Sequence, residues 1–204
     1  MKILGLILAG GHSSRMGRDK AGLIFGGKSL VQNQIASFER HKFPVAVSSN
    51  TFDKAELGHI AVLPDPAEIK YGGPLAGVYA GLQYASANGF GYILTVPVDC
   101  PIIPDEFFVK ITAGLDENTT LKIASTPSGL QPTFALWSTK LCSELLKFLK
   151  AAGNKSIRSF AFAHNVSIVR FDNVYSEGAF FNVNTPEDYQ YLQEKFGIKD
   201  ETKA

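Results

Sequence analysis

Four groups of residues in this chain combine types and spacings suited to chemistry on a phosphorylated ligand. The first is Ala9-Gly10-Gly11-His12-Ser13-Ser14-Arg15-Met16-Gly17-Arg18-Asp19-Lys20, directly after the apolar run Ile3–Leu8. Its glycines let backbone N–H groups approach an anion closely. Arg15, Arg18 and Lys20 add positive charge: a guanidinium grips phosphate oxygens in pairs, whereas an ammonium acts as a point charge. His12 can touch the same phosphates or stay solvated, and an ordinary surface turn is the plain alternative for the whole stretch. The second group is Asp99, which follows the most apolar run of the chain, 91–96. A carboxylate there, facing a basic loop, suits Mg²⁺, which takes one or two carboxylates together with phosphate oxygens and water. It would serve equally as a turn cap or as the partner of Lys20 or Arg15. The third is Asp65, at the end of another apolar run, placed to meet metal, ribose or base, or simply to make a turn before Pro66. The fourth is Asn182-Val183-Asn184, whose two amides face one side if the segment is extended; turn-forming asparagines are the alternative.

Better-known motifs do not account for these residues. Gly22-Leu23-Ile24-Phe25-Gly26-Gly27-Lys28-Ser29 fits the letters of a Walker A loop. Such a loop needs an apolar strand directly before its first glycine, and 16–21 is not one. The spacing predicts a short extended segment, a turn at Gly26-Gly27 and Ser29 as the N-cap of a helix. G-x-G-x-x-G is absent from the N-terminal stretch. Cys100 beside Asp99 has no histidine near it in sequence and reads as a small apolar residue. The four histidines have no metal-binding spacing. This inventory points to phosphoryl or nucleotidyl transfer by positioning and charge neutralisation.

Elements able to position these groups are legible in the pattern. Strands are predicted at 3–8, 44–48, 60–63, 91–96, 121–126, 132–137 and 166–171. Helices are predicted at 30–40, 75–87, 104–115, 139–151 and 156–163, and from Thr185 onward. Such alternation predicts a Rossmann-like, three-layer α/β domain, with a mostly parallel central sheet and helices on both faces. In open α/β sheets ligands bind beyond the carboxyl ends of the strands. The loops at Gly10-Gly11, Ser48-Ser49-Asn50, Asp65 and Asp99 should therefore converge on one cleft. A single domain over 1–204 is expected, with 199–204 frayed. Apolar residues make up 45% of the 204, enough for a full core. Twenty Lys and Arg against 19 Asp and Glu argue against a general binder of nucleic acid or anionic membrane. Two distant cysteines and the lack of a spanning apolar run suggest a reduced, cytoplasmic protein.

Taken together, Leu8-Ala9-Gly10-Gly11-x-Ser13-Ser14-Arg15-Met16-Gly17-x-Asp19-Lys20, Gly73-Pro74-Leu75-Ala76-Gly77, Pro97-Val98-Asp99-Cys100-Pro101, Gln131-Pro132-Thr133-Phe134-Ala135-Leu136 and Asn182-Val183-Asn184-Thr185-Pro186-Glu187-Asp188 resemble the signature of the molybdenum cofactor guanylyltransferases. The blocks stand in the family's order and cover nearly the whole chain. The resemblance implies transfer of GMP from GTP to the terminal phosphate of molybdenum-molybdopterin, with Mg²⁺ as cofactor and pyrophosphate as by-product. It implies that Leu8, Ala9 and Gly10 hold the nucleotide, with Gly11 and Arg15 at its phosphates. Lys20 would neutralise charge developing at the α-phosphate and pyrophosphate, and Asp99 would hold Mg²⁺. Asp65 would face the nucleoside, flanked by Pro74, Leu75 and Gly77, while Asn182 and Asn184 would lie on the acceptor side. Ser48 stands where the family often has Asn, with Asn50 two residues on, so base or ribose contacts there are open. Ser29 replaces a usual Pro, and Val98 a frequent Cys. A monomer is expected, with molybdenum-insertion proteins or molybdoenzymes as partners. The nearest alternatives are a molybdopterin cytidylyltransferase or another small-molecule nucleotidyltransferase. The sugar-phosphate enzymes usually have Pro-Lys where this chain has Asp19-Lys20. A non-catalytic nucleotide-binding partner of a molybdoenzyme is the alternative of a different class.

Overall fold

The strand β1 (Ile3–Leu8) has alternate side chains on opposite faces, and every other layer follows from that. The protein is seen in a computed structural model that describes residues 1–10, 20–52, 57–69, 72–151, 153, 155–172 and 178–196, without the side chain of Lys20. A two-stranded ribbon, β2 (Ile24–Phe25) and β3 (Lys28–Ser29), leads into α1 (Leu30–Arg40). Then come β4 (Val45–Ser48), β5 (Ala61–Leu63), α2 (Pro74–Ala87), β6 (Tyr92–Pro97) and α3 (Asp105–Thr112). The remainder is β7 (Leu121–Thr126), β8 (Gly129–Ser138), α4 (Cys142–Lys150), α5 (Ile157–Phe162), β9 (Val166–Arg170) and α6 (Pro186–Phe196).

Seven strands form one sheet in the order β5-β4-β1-β6-β8-β7-β9. All pairs are parallel except those made by β8, which runs against both β6 and β7. The reversal is forced locally. Only Pro127 and Ser128 separate β7 from β8, and a connection that short permits a hairpin but no crossover. The α/β expectation therefore holds, with one antiparallel strand that alternation alone did not reveal. Register between the two strands shifts after Ile123: Ala135 faces Ile123 while Gln131 faces Ala124, so residues 132–134 bulge out of the pairing.

Leu4, Leu6 and Leu8 of β1 join Ile93, Ala135 and Trp137 under α2, α4 and α5. Ile7, with Val47, Leu94 and Val96, lies on the opposite face under α1, α3 and α6. The result is the three-layer arrangement expected from the sequence. Two devices bring helices to the right place. Gly77 and Gly81 of α2 face the sheet: a Cβ on Gly77 would stand 2.2 Å from Ser48 Oγ, and one on Gly81 would stand 2.4 Å from Leu6 Cδ2. Only hydrogen at these positions lets α2 lie so close to β1 and β4. At the start of α1, Ser29 Oγ accepts from Gln32 N at 3.3 Å and Gln32 Oε1 accepts from Ser29 N at 2.9 Å, a complete capping box. The preceding turn places Gly26 at φ 63° and Gly27 at φ 76°, as a tight hairpin between β2 and β3 requires. The Walker-like letters at 22–29 thus fold as ribbon, turn and helix cap. Among the described residues no helix is long and apolar enough to cross a membrane.

Candidate active site

Because β5, β4, β1 and β6 are parallel neighbours, their carboxyl ends form one continuous edge. Backbone bonds continue past the strands and stitch it together. Ala9 N donates to Ser48 O at 2.8 Å, Val98 N to Leu8 O at 3.1 Å, and Ser49 N to Leu63 O at 3.0 Å. The four loops singled out from sequence therefore do converge at their roots. Leu8 and Ala9 are buried and Gly10 is exposed, with open space where a Cβ would stand. Chain leaving a buried strand at a bare glycine offers backbone to a ligand. Gly11, His12, Arg15 and Arg18 lie outside the described residues. Lys20 opens a short 3₁₀ turn, Lys20–Gly22, and its side chain lies outside the described set.

Asp99 is half-buried at the end of β6. Its surroundings fix it from several directions. Val183 N donates to Asp99 O at 2.7 Å. Gln34 of α1 donates its Nε2 hydrogen to Cys100 O. Cys100 Sγ points to Ile102 O at 3.6 Å, and Phe180 N donates to that same carbonyl at 3.3 Å. Burial, reinforced by the neighbouring Asp99 charge, raises the Cys100 thiol far above its ordinary range. Cys100 is fully buried in the core, the surroundings of the small apolar residue its sequence context suggested. Among the described residues no three His, Cys, Asp or Glu side chains gather as a metal cage. A hard carboxylate at the end of β6 is the ligand type that suits a cation drawing other ligands from substrate phosphates and water, which is the habit of Mg²⁺.

The β4–β5 end holds a pair not foreseen as a unit. Asn50 Nδ2 donates to Asp65 Oδ2 at 2.9 Å, and Asp65 N donates to Asn50 Oδ1 at 2.8 Å. Asp65 is thus held in one orientation at the edge. Ser48 is placed otherwise: its side chain is 1% exposed and packs against Gly77. Leu75 is fully buried in the α2 face of the core, and Gly77 is buried against Ser48. Pro74 is exposed at the first turn of α2, after Gly73 at φ 54°.

The segment 178–185 lies on the other side of Asp99. Val183 is buried, Asn184 is exposed, and Asn182 is half-buried. Asn182 Oδ1 is buried with no hydrogen-bond partner among the described residues, an arrangement native proteins usually avoid. The segment is rigidly set. Phe180 takes φ 62°, rare for a bulky residue, and packs on Phe107, Phe134 and Phe171. Asp188 Oδ2 accepts from Asn184 N at 2.8 Å and Thr185 N at 2.9 Å, while Thr185 Oγ1 accepts from Asp188 N at 3.1 Å. That exchange is the expected Thr185 cap of α6. A cavity of about 510 Å³ elsewhere is lined by Asn33, Ala36, Ser37, Arg40 and Pro101 to Ile103, and none of the predicted site residues borders it.

The fold is an α/β domain whose parallel strands end in one continuous edge. The chain belongs to the family of the MobA-like NTP transferase domain, whose model it matches over residues 5–167. It is 34% identical to the molybdenum cofactor guanylyltransferase of Rhizobium leguminosarum bv. trifolii, over 92% of this chain and 90% of the relative. The protein of that name from Cereibacter sphaeroides is 35% identical over 92% and 94% of the two chains. The crystal structure of molybdopterin-guanine dinucleotide biosynthesis protein A from Archaeoglobus fulgidus has the same fold, with a TM-score of 0.77 and 21% identity over 98% of this chain and 100% of that one.

Proposed function

We propose that the chain transfers the GMP moiety of GTP to the terminal phosphate of molybdenum-molybdopterin, forming the guanine dinucleotide form of the cofactor and pyrophosphate. Relatives bearing the guanylyltransferase name, similar over nine-tenths of their length, support the reaction. The observation that carries the reading is the position of Asp99, seated between the glycine end of β1 and the Asn182 segment. In this reading one carboxylate serves both the nucleotide and the acceptor.

In this reading Leu8, Ala9 and Gly10 present backbone to the nucleotide, and Gly11 and Arg15 meet its phosphates. Lys20 neutralises charge on the α-phosphate and the departing pyrophosphate. Asp65, turned by Asn50, accepts from the nucleoside, a ribose hydroxyl or a guanine N–H being the available donors. Pro74, Leu75 and Gly77 flank it, and Ser48 supports that wall from beneath. Asn182 and Asn184 hold the acceptor, whose donors would satisfy the buried Asn182 oxygen. Asp99 would hold Mg²⁺, which supplies charge neutralisation at phosphate oxygens when bound. An acceptor phosphate oxygen attacks the α-phosphorus in line. One P–O bond forms, the bond to the β-phosphate bridge breaks, and the electron pair leaves with pyrophosphate.

Thermal unfolding with Mg²⁺ and each of GTP, CTP, ATP and UTP tests the base. At a hundredfold over its Kd a ligand adds about 2.7 kcal/mol, a clear shift. The expected result is a GTP-selective shift, weakened in Lys20→Ala. A CTP-selective shift would move the product to the cytosine dinucleotide. Pyrophosphate release with molybdenum-molybdopterin tests the chemistry: Asp99→Ala should lose about a hundredfold or more of Mg²⁺-dependent turnover with its fold intact. Unchanged turnover in that variant would sink the Asp99 assignment.

A further inference from the structure

We infer that Gln34, on a helix outside the proposed ligand-contacting edge, is a positioning residue that fixes Asp99 for cation binding; the inference rests on the reading of Asp99 above. Gln34 sits in the middle of α1, 0% exposed, among the apolar residues that face the sheet. Its Nε2 crosses 66 positions of sequence to donate to the carbonyl of Cys100, the residue next to Asp99. Its Oε1 is also buried and has no hydrogen-bond partner among the described residues.

A buried amide with half its polar atoms unpaired is a poor way to fill a core. An apolar side chain of equal volume would avoid the desolvation cost. The one thing this amide provides is a donor to a particular carbonyl. Val183 N already holds the Asp99 carbonyl, at 2.7 Å. With Gln34 on the next one, the successive carbonyls of Asp99 and Cys100 are both tied, one to the segment before α6 and the other to α1. Two successive anchored carbonyls leave the Asp99 backbone little freedom to rock. A carboxylate whose backbone is held still keeps its oxygens where a cation needs them, so its affinity for a cation depends on that rigidity.

Gln34→Met removes the donor at nearly constant volume. Gln34→His keeps a ring nitrogen donor at similar reach. Val31→Ala, a fully buried neighbour on α1, is the control for lost packing. The readout is Mn²⁺ binding, followed by electron paramagnetic resonance in the presence of GTP, with urea unfolding alongside. Gln34→Met should weaken Mn²⁺ about three- to tenfold, Gln34→His should stay within about twofold of the parent, and Val31→Ala should lose stability without losing Mn²⁺. Should Gln34→Met not fold, Gln34→Leu takes its place with the same expectation. Parental Mn²⁺ affinity in the apolar variant, or equal weakening in Val31→Ala, overturns the role of Gln34 alone. Failure of the parent protein to bind Mn²⁺ with any nucleotide overturns the reading of Asp99 and this inference with it.

Discussion

Asn50 and Asp65 each complete the other's hydrogen bonding, and one donor is a backbone N–H. Asn50→Ala therefore leaves the Asp65 N–H to solvent and frees its carboxylate to turn. If Asp65 meets the nucleoside, the variant should raise the KM for GTP about three- to tenfold with kcat little changed, as steady-state kinetics would show. Loss of kcat alone would place Asp65 at the reacting phosphates instead. From sequence, Asp65 was a candidate and Asn50 was a displaced family asparagine; their partnership was hidden because it depends on β4 and β5 being paired neighbours. Ser48 shows the converse. Its place at a strand end was legible, but whether its hydroxyl faced a ligand or a helix was set by the pleat, and the pleat turns it to Gly77. Gln34 gave no signal at all, since a glutamine inside an amphipathic pattern reads as an ordinary helix residue.

Elements were read more fully than side-chain roles. The α1 helix was predicted at its observed limits because the Ser29 cap and the apolar spacing agree. By contrast, the predicted helix 104–115 ends at Thr112, and Gly114 follows at φ 61°. The reversal of β8 was legible only in the brevity of its link to β7, a feature of the connection and not of either strand. Helix α2 illustrates how an element's distance from the sheet is encoded. Gly77→Ala pushes a methyl onto Ser48, with Leu8 Cδ2 at 3.4 Å on the other side. The variant should lose about 1–3 kcal/mol in urea unfolding, and adding Ser48→Gly should restore part of that loss. Full stability in the single variant would mean that α2 shifts freely, contrary to the packing described.

At the scale of the whole molecule, two apolar layers grip one sheet, and the contact between α1 and α3 makes its stability respond to pH. His41 stacks on Phe108 with ring centroids 4.2 Å apart, and its Nε2 lies 3.0 Å from Asp105 Oδ1. Burial lowers its pKa below 6.5, against the pull of Asp105 and with the help of Arg40. The unfolded chain therefore takes up a proton here more readily than the folded one. This contribution to stability is complete above 6.5 and is lost as pH falls from there through the lowered folded value. Urea midpoints should decline between about pH 7 and pH 5, less steeply in His41→Gln than in the parent; equal slopes would exclude His41 as the source. Another global feature is that the sequence ends of the described fold meet. Tyr189 of α6 donates its hydroxyl to Ile24 O in the first ribbon, and Val183 anchors Asp99. Read as an order of synthesis, this sets a timetable. A ribosome delivers every strand of the β5-β4-β1-β6 edge well before it delivers Val183. The nascent polypeptide can pair its sheet early, yet the Asp99 carbonyl gains its Val183 donor only when translation has passed Val183, so this end of the edge is completed after the strands that build it.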